Sequence, residues 1–168
     1  GLVAADYARA KGLTVISTTR DAAKADRMRA YGADHVVIDD GTIAPKLREI
    51  LPDGVDAMFD LVGTKVLDDS FACVRRGGTL CMAGLLGGEW TIPDFAPGAV
   101  IPSTTRFTYF SSSSTPMPTA ALQAYLDGLA DGTYRMPLDQ LFRFDDIQDA
   151  HACMEANAAI GKIVVSIP

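Results

Sequence analysis

The residues whose types and spacing point most directly to chemistry are Thr18-Thr19-Arg20, followed one helical turn later by Lys24. Two hydroxyls and two cations so close together suit a phosphate dianion, which takes charge-assisted hydrogen bonds and pairs well with a guanidinium. The run leading into them, Leu13 to Thr18, is short and β-rich, so the group falls at a strand's carboxyl end. Open parallel sheets bind their ligands there. A dinucleotide fold that prefers NAD usually places an acid at this point to hold a ribose 2′-hydroxyl. One that prefers NADP replaces it with neutral groups and a nearby arginine. By composition alone Arg20 and Lys24 would be a solvated first helical turn; the strand-end position favours the phosphate.

Other candidate groups carry less. Gly1 opens an alanine-rich helix whose amino end would offer unpaired N–H groups to a pyrophosphate. Gly84 ends a strand and precedes Gly87-Gly88; glycines there permit close backbone approach to a flat ring, and a plain loop explains them equally well. Tyr7-x-x-x-Lys11 has the spacing of a short-chain dehydrogenase pair, but it lies on the first helix, where that pair does not belong, and is read as non-catalytic. Ser111–Ser114 reads as loop, His151 as structural, and no Ser/His/Asp set stands in suggestive context. No catalytic residue is assigned. Cys73, Cys81 and Cys153 form no disulfide framework and no C-x-x-C pair. His35 and His151 are far apart in sequence and neither sits at a metal-ligand spacing from a cysteine, so no metal-ligand set is read in this chain, and zinc dependence stays open.

The elements that must position these groups alternate. Helix is expected over 2–11, with Gly12 as its stop, then strand over 13–18 and helix over 22–31, capped by Asp21 and ended by Gly32. Strand 35–38, helix 43–51 with Pro45 in its first turn, strand 55–60 and helix 66–74 follow. Arg75-Arg76-Gly77-Gly78 reads as a turn into strand 79–83. Beyond Gly84 the pattern loosens into a Gly- and Pro-rich loop, then strand 106–110, a Ser-rich loop and helix 119–130. Strand 141–144, a helix capped by Asp145 and running to about 156, and strand 161–167 close the chain. Nearly continuous apolar strands separated by helices indicate a doubly wound parallel α/β sheet covered on both faces.

At 168 residues, with 15 Lys+Arg against 21 Asp+Glu and a net charge of −6, the chain can bury a core. Its acidic balance argues against nucleic acid and anionic membrane as partners. No apolar run reaches the roughly 18 residues of a membrane span. A reducing, cytoplasmic setting and a small-molecule substrate are expected.

Gly1-Leu2-Val3-Ala4 with Ala8-x-x-x-Gly12 resembles the helix after the glycine motif of medium-chain dehydrogenases/reductases. Thr18-Thr19-Arg20 with Lys24, Gly32-Ala33-Asp34-His35-Val36-Val37, Val55-Asp56 to Phe59-Asp60-Leu61-Val62-Gly63, Gly77-Gly78-Thr79-Leu80 and Gly161-Lys162-Ile163-Val164-Val165 continue that family's order. The quinone oxidoreductase-like and zinc-type alcohol dehydrogenase branches are the most similar. The resemblance implies a Rossmann-type sheet lacking its first strand over 1–136, with 137–168 rejoining a barrel-like catalytic domain. It implies an NADPH-dependent enzyme, about twice this length, that moves hydride to or from a quinone, enone or carbonyl/alcohol substrate. By position, Gly1 would lie near the pyrophosphate, and Thr18, Thr19, Arg20 and Lys24 near the 2′-phosphate. Leu61, Val62 and Gly63 would pass the adenosine. Ala83, Gly84, Leu85, Phe110 and Ser111 would lie by the nicotinamide, with Gly161 and Lys162 returning near the cofactor. The family's dimers imply a homodimer through 106–110. Asp39 stands where quinone reductases often carry tyrosine, and its charge opposes a phosphate. The alternatives are a non-catalytic nucleotide-binding or scaffold protein of this fold, or another Rossmann-like enzyme such as a methyltransferase, to which the acidic pair Asp39-Asp40 would be suited.

Overall fold

The computed structural model describes residues 1–168 as a mixed α/β chain. Its first part runs α1 (Leu2–Ala10), β1 (Ile16–Thr19), α2 (Ala25–Ala30), β2 (His35–Ile38), α3 (Ala44–Ile50), β3 (Val55–Asp60) and α4 (Leu67–Cys73). It continues through β4 (Val74–Met82), α5 (Pro97–Val100), β5 (Arg106–Tyr109), α6 (Thr119–Ala130), β6 (Leu138–Arg143), α7 (Ile147–Glu155) and β7 (Lys162–Ser166). The chain divides into two compact units, residues 1–36 with 119–168 and residues 37–118.

In the first unit the expected punctuation holds. Gly12 and Gly32 take φ of +76° and +98° after α1 and α2, a left-handed conformation that only glycine adopts cheaply. Asp21 caps the 3-10 turn that leads into α2, its Oδ1 accepting from Ala23 N at 3.0 Å. Asp145 does not cap its helix: it lies inside a 3-10 turn, Phe144–Asp146, that runs into α7 with no side-chain cap. β1 and β2 form a two-stranded sheet, and β6 and β7 a parallel pair. The unit is closed by aromatic packing: Tyr134 stacks on Tyr7 at 5.5 Å and tilts against Tyr125 at 5.0 Å. Gly128 of α6 admits the Tyr134 ring, because a Cβ there would collide with it.

In the second unit β3, β4 and β5 form a parallel sheet in that order. Its core is Leu67, Phe71, Val74 and Leu80, each at most 1% exposed, with Val55, Met58, Ile92 and Phe95 packed against it. Removing each such side chain from water contributes roughly 1.5–3 kcal/mol. One feature differs from the sequence expectation. Arg75–Gly78 is not a separate turn but part of β4, where the register jumps from Val55↔Val74 to Ala57↔Thr79. The extra residues are absorbed as an irregularity in which Gly77 takes φ +74°. α4 packs on one side, while Phe59 and the whole of β5 stay exposed.

Candidate functional site

The groups picked from sequence sort by unit. In the first unit β1 delivers Thr18 and Thr19 to the turn that holds Arg20. The Thr19 hydroxyl is used locally, accepting from Asp21 N at 3.1 Å and donating to Asp21 O at 3.2 Å. Lys24 sends Nζ to Asn157 O at 2.9 Å, a carbonyl just beyond α7, and two of its three ammonium protons stay unused. Thr18 and Arg20 are exposed, and Arg20 enters none of the ion pairs. The turn after β1 therefore offers one unengaged guanidinium, one open hydroxyl and a half-buried ammonium.

Gly1 stands as N-cap of α1. The positive charge of Lys162 lies near enough to act on Gly1, so the structure brings these two expected site residues together. Gly161 packs so tightly on Pro137 O that a Cβ would collide with it, and Lys162 N donates to that same oxygen at 2.6 Å. Asn157, Gly161 and Lys162 line a concavity of about 250 Å³. An anionic ligand would meet the Lys162 side chain here.

In the second unit the turns after β3 and β4 interlock. Gly63 takes φ +92° and ψ −147°, a region essentially reserved for glycine. A Cβ there would stand 2.7 Å from Leu85 Cδ2 and 2.8 Å from Gly84 O, and one on Gly84 would overlap the Leu61 backbone. The backbone knits the turns further: Ala83 N donates to Asp60 O at 2.8 Å, Leu86 N to Leu61 O at 3.2 Å and Gly87 N to Val62 O at 2.9 Å. Phe110 N reaches Met82 O at 2.9 Å and fixes the end of β5 beside them, while Ser111 pairs its hydroxyl with Ser113 at 2.8 Å. Leu61–Gly63, Ala83–Leu85 and Phe110–Ser111 thus end three adjacent parallel strands.

The sequence reading missed the residue that organises this end. Asp60 is 3% exposed. Its Oδ1 accepts from Val62 N at 2.7 Å and Gly63 N at 2.9 Å, and its Oδ2 from the Ser70 hydroxyl at 2.7 Å. The available signal was an acid ending a strand after three apolar residues, Ala57-Met58-Phe59, directly before Leu-Val-Gly. Of the acids after β2, Asp39 accepts from Gly41 N at 2.9 Å, and Asp40 pairs with Lys46 at 2.7 Å. The Lys46 hydrogen bond holds the Asp40 carboxyl below its ordinary value.

The residues fit a dinucleotide better than a metal. Glycines at strand ends leave backbone where side chains would block a flat ring, and Arg20 is an unengaged cation at the turn after β1. No group of three or more His, Cys, Asp or Glu side chains is placed to hold a metal ion. No helix is long and apolar enough to cross a membrane.

The family model described as zinc-binding dehydrogenase matches residues 31–165. A quinone oxidoreductase of Pseudomonas aeruginosa is 28% identical over 173 residues, covering 98% of this chain and 52% of its own. An alcohol dehydrogenase of Geobacillus stearothermophilus is 27% identical over 171 residues, covering 99% and 47%. The crystal structure of Escherichia coli quinone oxidoreductase complexed with NADPH superimposes with a TM-score of 0.87 at 25% identity, covering all of this chain and 53% of that one. The chain spans about half the length of the curated relatives it matches.

Proposed function

The chain belongs to the zinc-binding dehydrogenase family of medium-chain dehydrogenases/reductases and has the Rossmann-type α/β fold of its relatives; on that premise we infer that it forms the cofactor-carrying part of an NADPH-dependent oxidoreductase. Its substrate would be a quinone, enone or carbonyl/alcohol compound. The observation that carries this reading is the pair of interlocked glycine turns at the ends of β3 and β4, which present bare backbone where a flat cofactor ring would lie.

A bound nicotinamide supplies the hydride chemistry; the protein's contribution is to place and orient it. Arg20 would take the 2′-phosphate, with Thr18 and Lys24 beside it and Thr19 shaping the turn. Gly1 at the start of α1 would face the pyrophosphate, with Gly161 and Lys162 nearby. Leu61, Val62 and Gly63 would line the adenosine, and Ala83, Gly84, Leu85, Phe110 and Ser111 the nicotinamide. Residues 1–136 would make up the dinucleotide domain and residues 137–168 a part of the catalytic one. β5 is an edge strand exposed along its whole length, with Phe107 and Tyr109 on the surface. An exposed aromatic edge of this kind suits pairing with a second copy across a two-fold axis. The cysteines are unpaired, which fits a cytoplasmic location.

The experiment is calorimetric titration of the full-length protein with NADPH, NADH and S-adenosylmethionine, followed by a turnover screen over quinones, enones and aldehydes. Dinucleotide binding with hydride transfer to one of these classes is expected. Binding without turnover across the panel would indicate a non-catalytic nucleotide-binding protein. Binding of S-adenosylmethionine alone would overturn the dinucleotide reading.

A further inference from the structure

We propose that Asp60, anchored by Ser70, is a positioning residue that locks the turns after β3 and β4 into one platform, so that adenosine and nicotinamide contacts are set together. The inference rests on the reading of Leu61–Gly63 and Ala83–Leu85 as cofactor turns. A carboxylate at 3% exposure is costly to bury and is kept only where its bonds are needed. Asp60 gives its Oδ1 to two consecutive backbone N–H groups, Val62 and Gly63, which no strand partner satisfies. Its other oxygen is held by Ser70, 1% exposed on α4. The turn is thereby tied to the helix beneath it.

From that point the constraint spreads outward. Gly63 is held in a glycine-only conformation against Gly84 O and Leu85, and Gly84 in turn lies on Leu61. With Leu61 O and Val62 O engaged by Leu86 N and Gly87 N, neither turn can shift without the other. Releasing Val62 N and Gly63 N would leave two unpaired donors, let the first turn open, and carry Gly84 and Leu85 with it.

The test compares Asp60→Ala, Asp60→Asn, Ser70→Ala and Leu67→Ala in the full-length protein. Leu67 shares α4 with Ser70 and lies in the core cluster, and its side chain makes no polar bond to either turn, so it controls for lost stability. The readouts are the Kd for NADPH by calorimetry, the melting temperature, and hydrogen exchange of peptides covering 60–64 and 83–88. Asp60→Ala should raise Kd about tenfold or more and speed exchange in both peptides together. Asp60→Asn, which keeps the Oδ1 acceptor, should restore most of the affinity. Ser70→Ala should raise Kd about twofold to threefold; it carries the test if Asp60→Ala does not fold. Leu67→Ala should lower the melting temperature and leave Kd within twofold. An Asp60→Ala Kd within twofold of wild type, faster exchange in one peptide only, or an equal Kd rise in Leu67→Ala would overturn the proposal while dinucleotide binding stands. A wild-type protein that binds no dinucleotide would overturn both.

Discussion

Replacing Asp6 by asparagine should destabilise the unit that carries α1. Asp6 is wholly buried, and four donors converge on it: Arg135 N at 2.7 Å, Arg9 Nη2 and Arg135 Nη2 each at 3.2 Å, and Arg135 Nε at 3.4 Å. Arg135 also lies over the Tyr31 ring at 5.0 Å, so one side chain links α1, α2 and the segment before β6. Burial pushes the Asp6 carboxyl up, but the Arg135 N–H and the two guanidiniums outweigh it and leave it below the ordinary value of 3.8. Asparagine keeps the size and one acceptor but loses the charge that both arginines serve. Hydrogen bonds to a charged group contribute about 1.5–3 kcal/mol each, and breaking a buried pair costs up to about 5. Because both guanidiniums are nearly half exposed and rehydrate easily, about 2–3 kcal/mol is expected. For a unit of this size that lowers the melting temperature by roughly 8–24 °C. A depressed carboxyl gives stability that is present above the unfolded-state value near pH 3.8 and is lost as pH falls below it. The gap between wild type and variant in urea unfolding should therefore be full at pH 7 and shrink as pH drops under about 4. A gap below about 0.5 kcal/mol at pH 7, or one that widens on acidification, would refute this reasoning.

Two further outcomes follow from buried groups. Tyr125 keeps its hydroxyl buried without a hydrogen-bond partner, so Tyr125→Phe should leave the melting temperature unchanged or raise it, whereas a satisfied hydroxyl would cost about 1 kcal/mol on removal. Burial, with Asp69 next, pushes the Cys73 thiol up to about 12 from 9.0. In the native protein Cys73 should resist iodoacetamide at pH 8 while half-buried Cys81 and Cys153 react faster, as peptide mass spectrometry would show. Between pH 9 and 12 the unfolded thiolate should draw stability away, and Cys73→Ala should lose that dependence.

Where local chemistry decides, the sequence was enough. α6 runs from Thr119 to Ala130 as its pattern indicated, and Asp21 and Pro45 fill their helix-start roles. Where a distant partner decides, it was not. Arg-Arg-Gly-Gly favours a turn on its own, yet β3 supplies a ladder that holds 74–82 as one irregular strand. Lys24 looked like an unengaged cation because Asn157, which takes its Nζ, lies 133 residues away. The importance of Asp60 depends on Ser70 and on the peptide N–H groups that turn back to it, a geometry that spacing does not encode. Gly63 and Gly84 were marked as cofactor glycines from family order, but their mutual exclusion of Cβ atoms is a property of the fold.

The most direct measurement is the ratio of NADPH to NADH affinity in the full-length protein, taken for wild type and for Arg20→Ala. Arg20 is exposed and makes no ion pair, so its removal should leave the fold intact. Loss of one charge-assisted contact of about 1.5–3 kcal/mol predicts that wild type prefers NADPH and that the variant loses roughly 10- to 150-fold of that preference, with NADH affinity nearly unchanged. Equal wild-type affinities for the two dinucleotides, or an unchanged ratio in Arg20→Ala, would contradict the phosphate assignment.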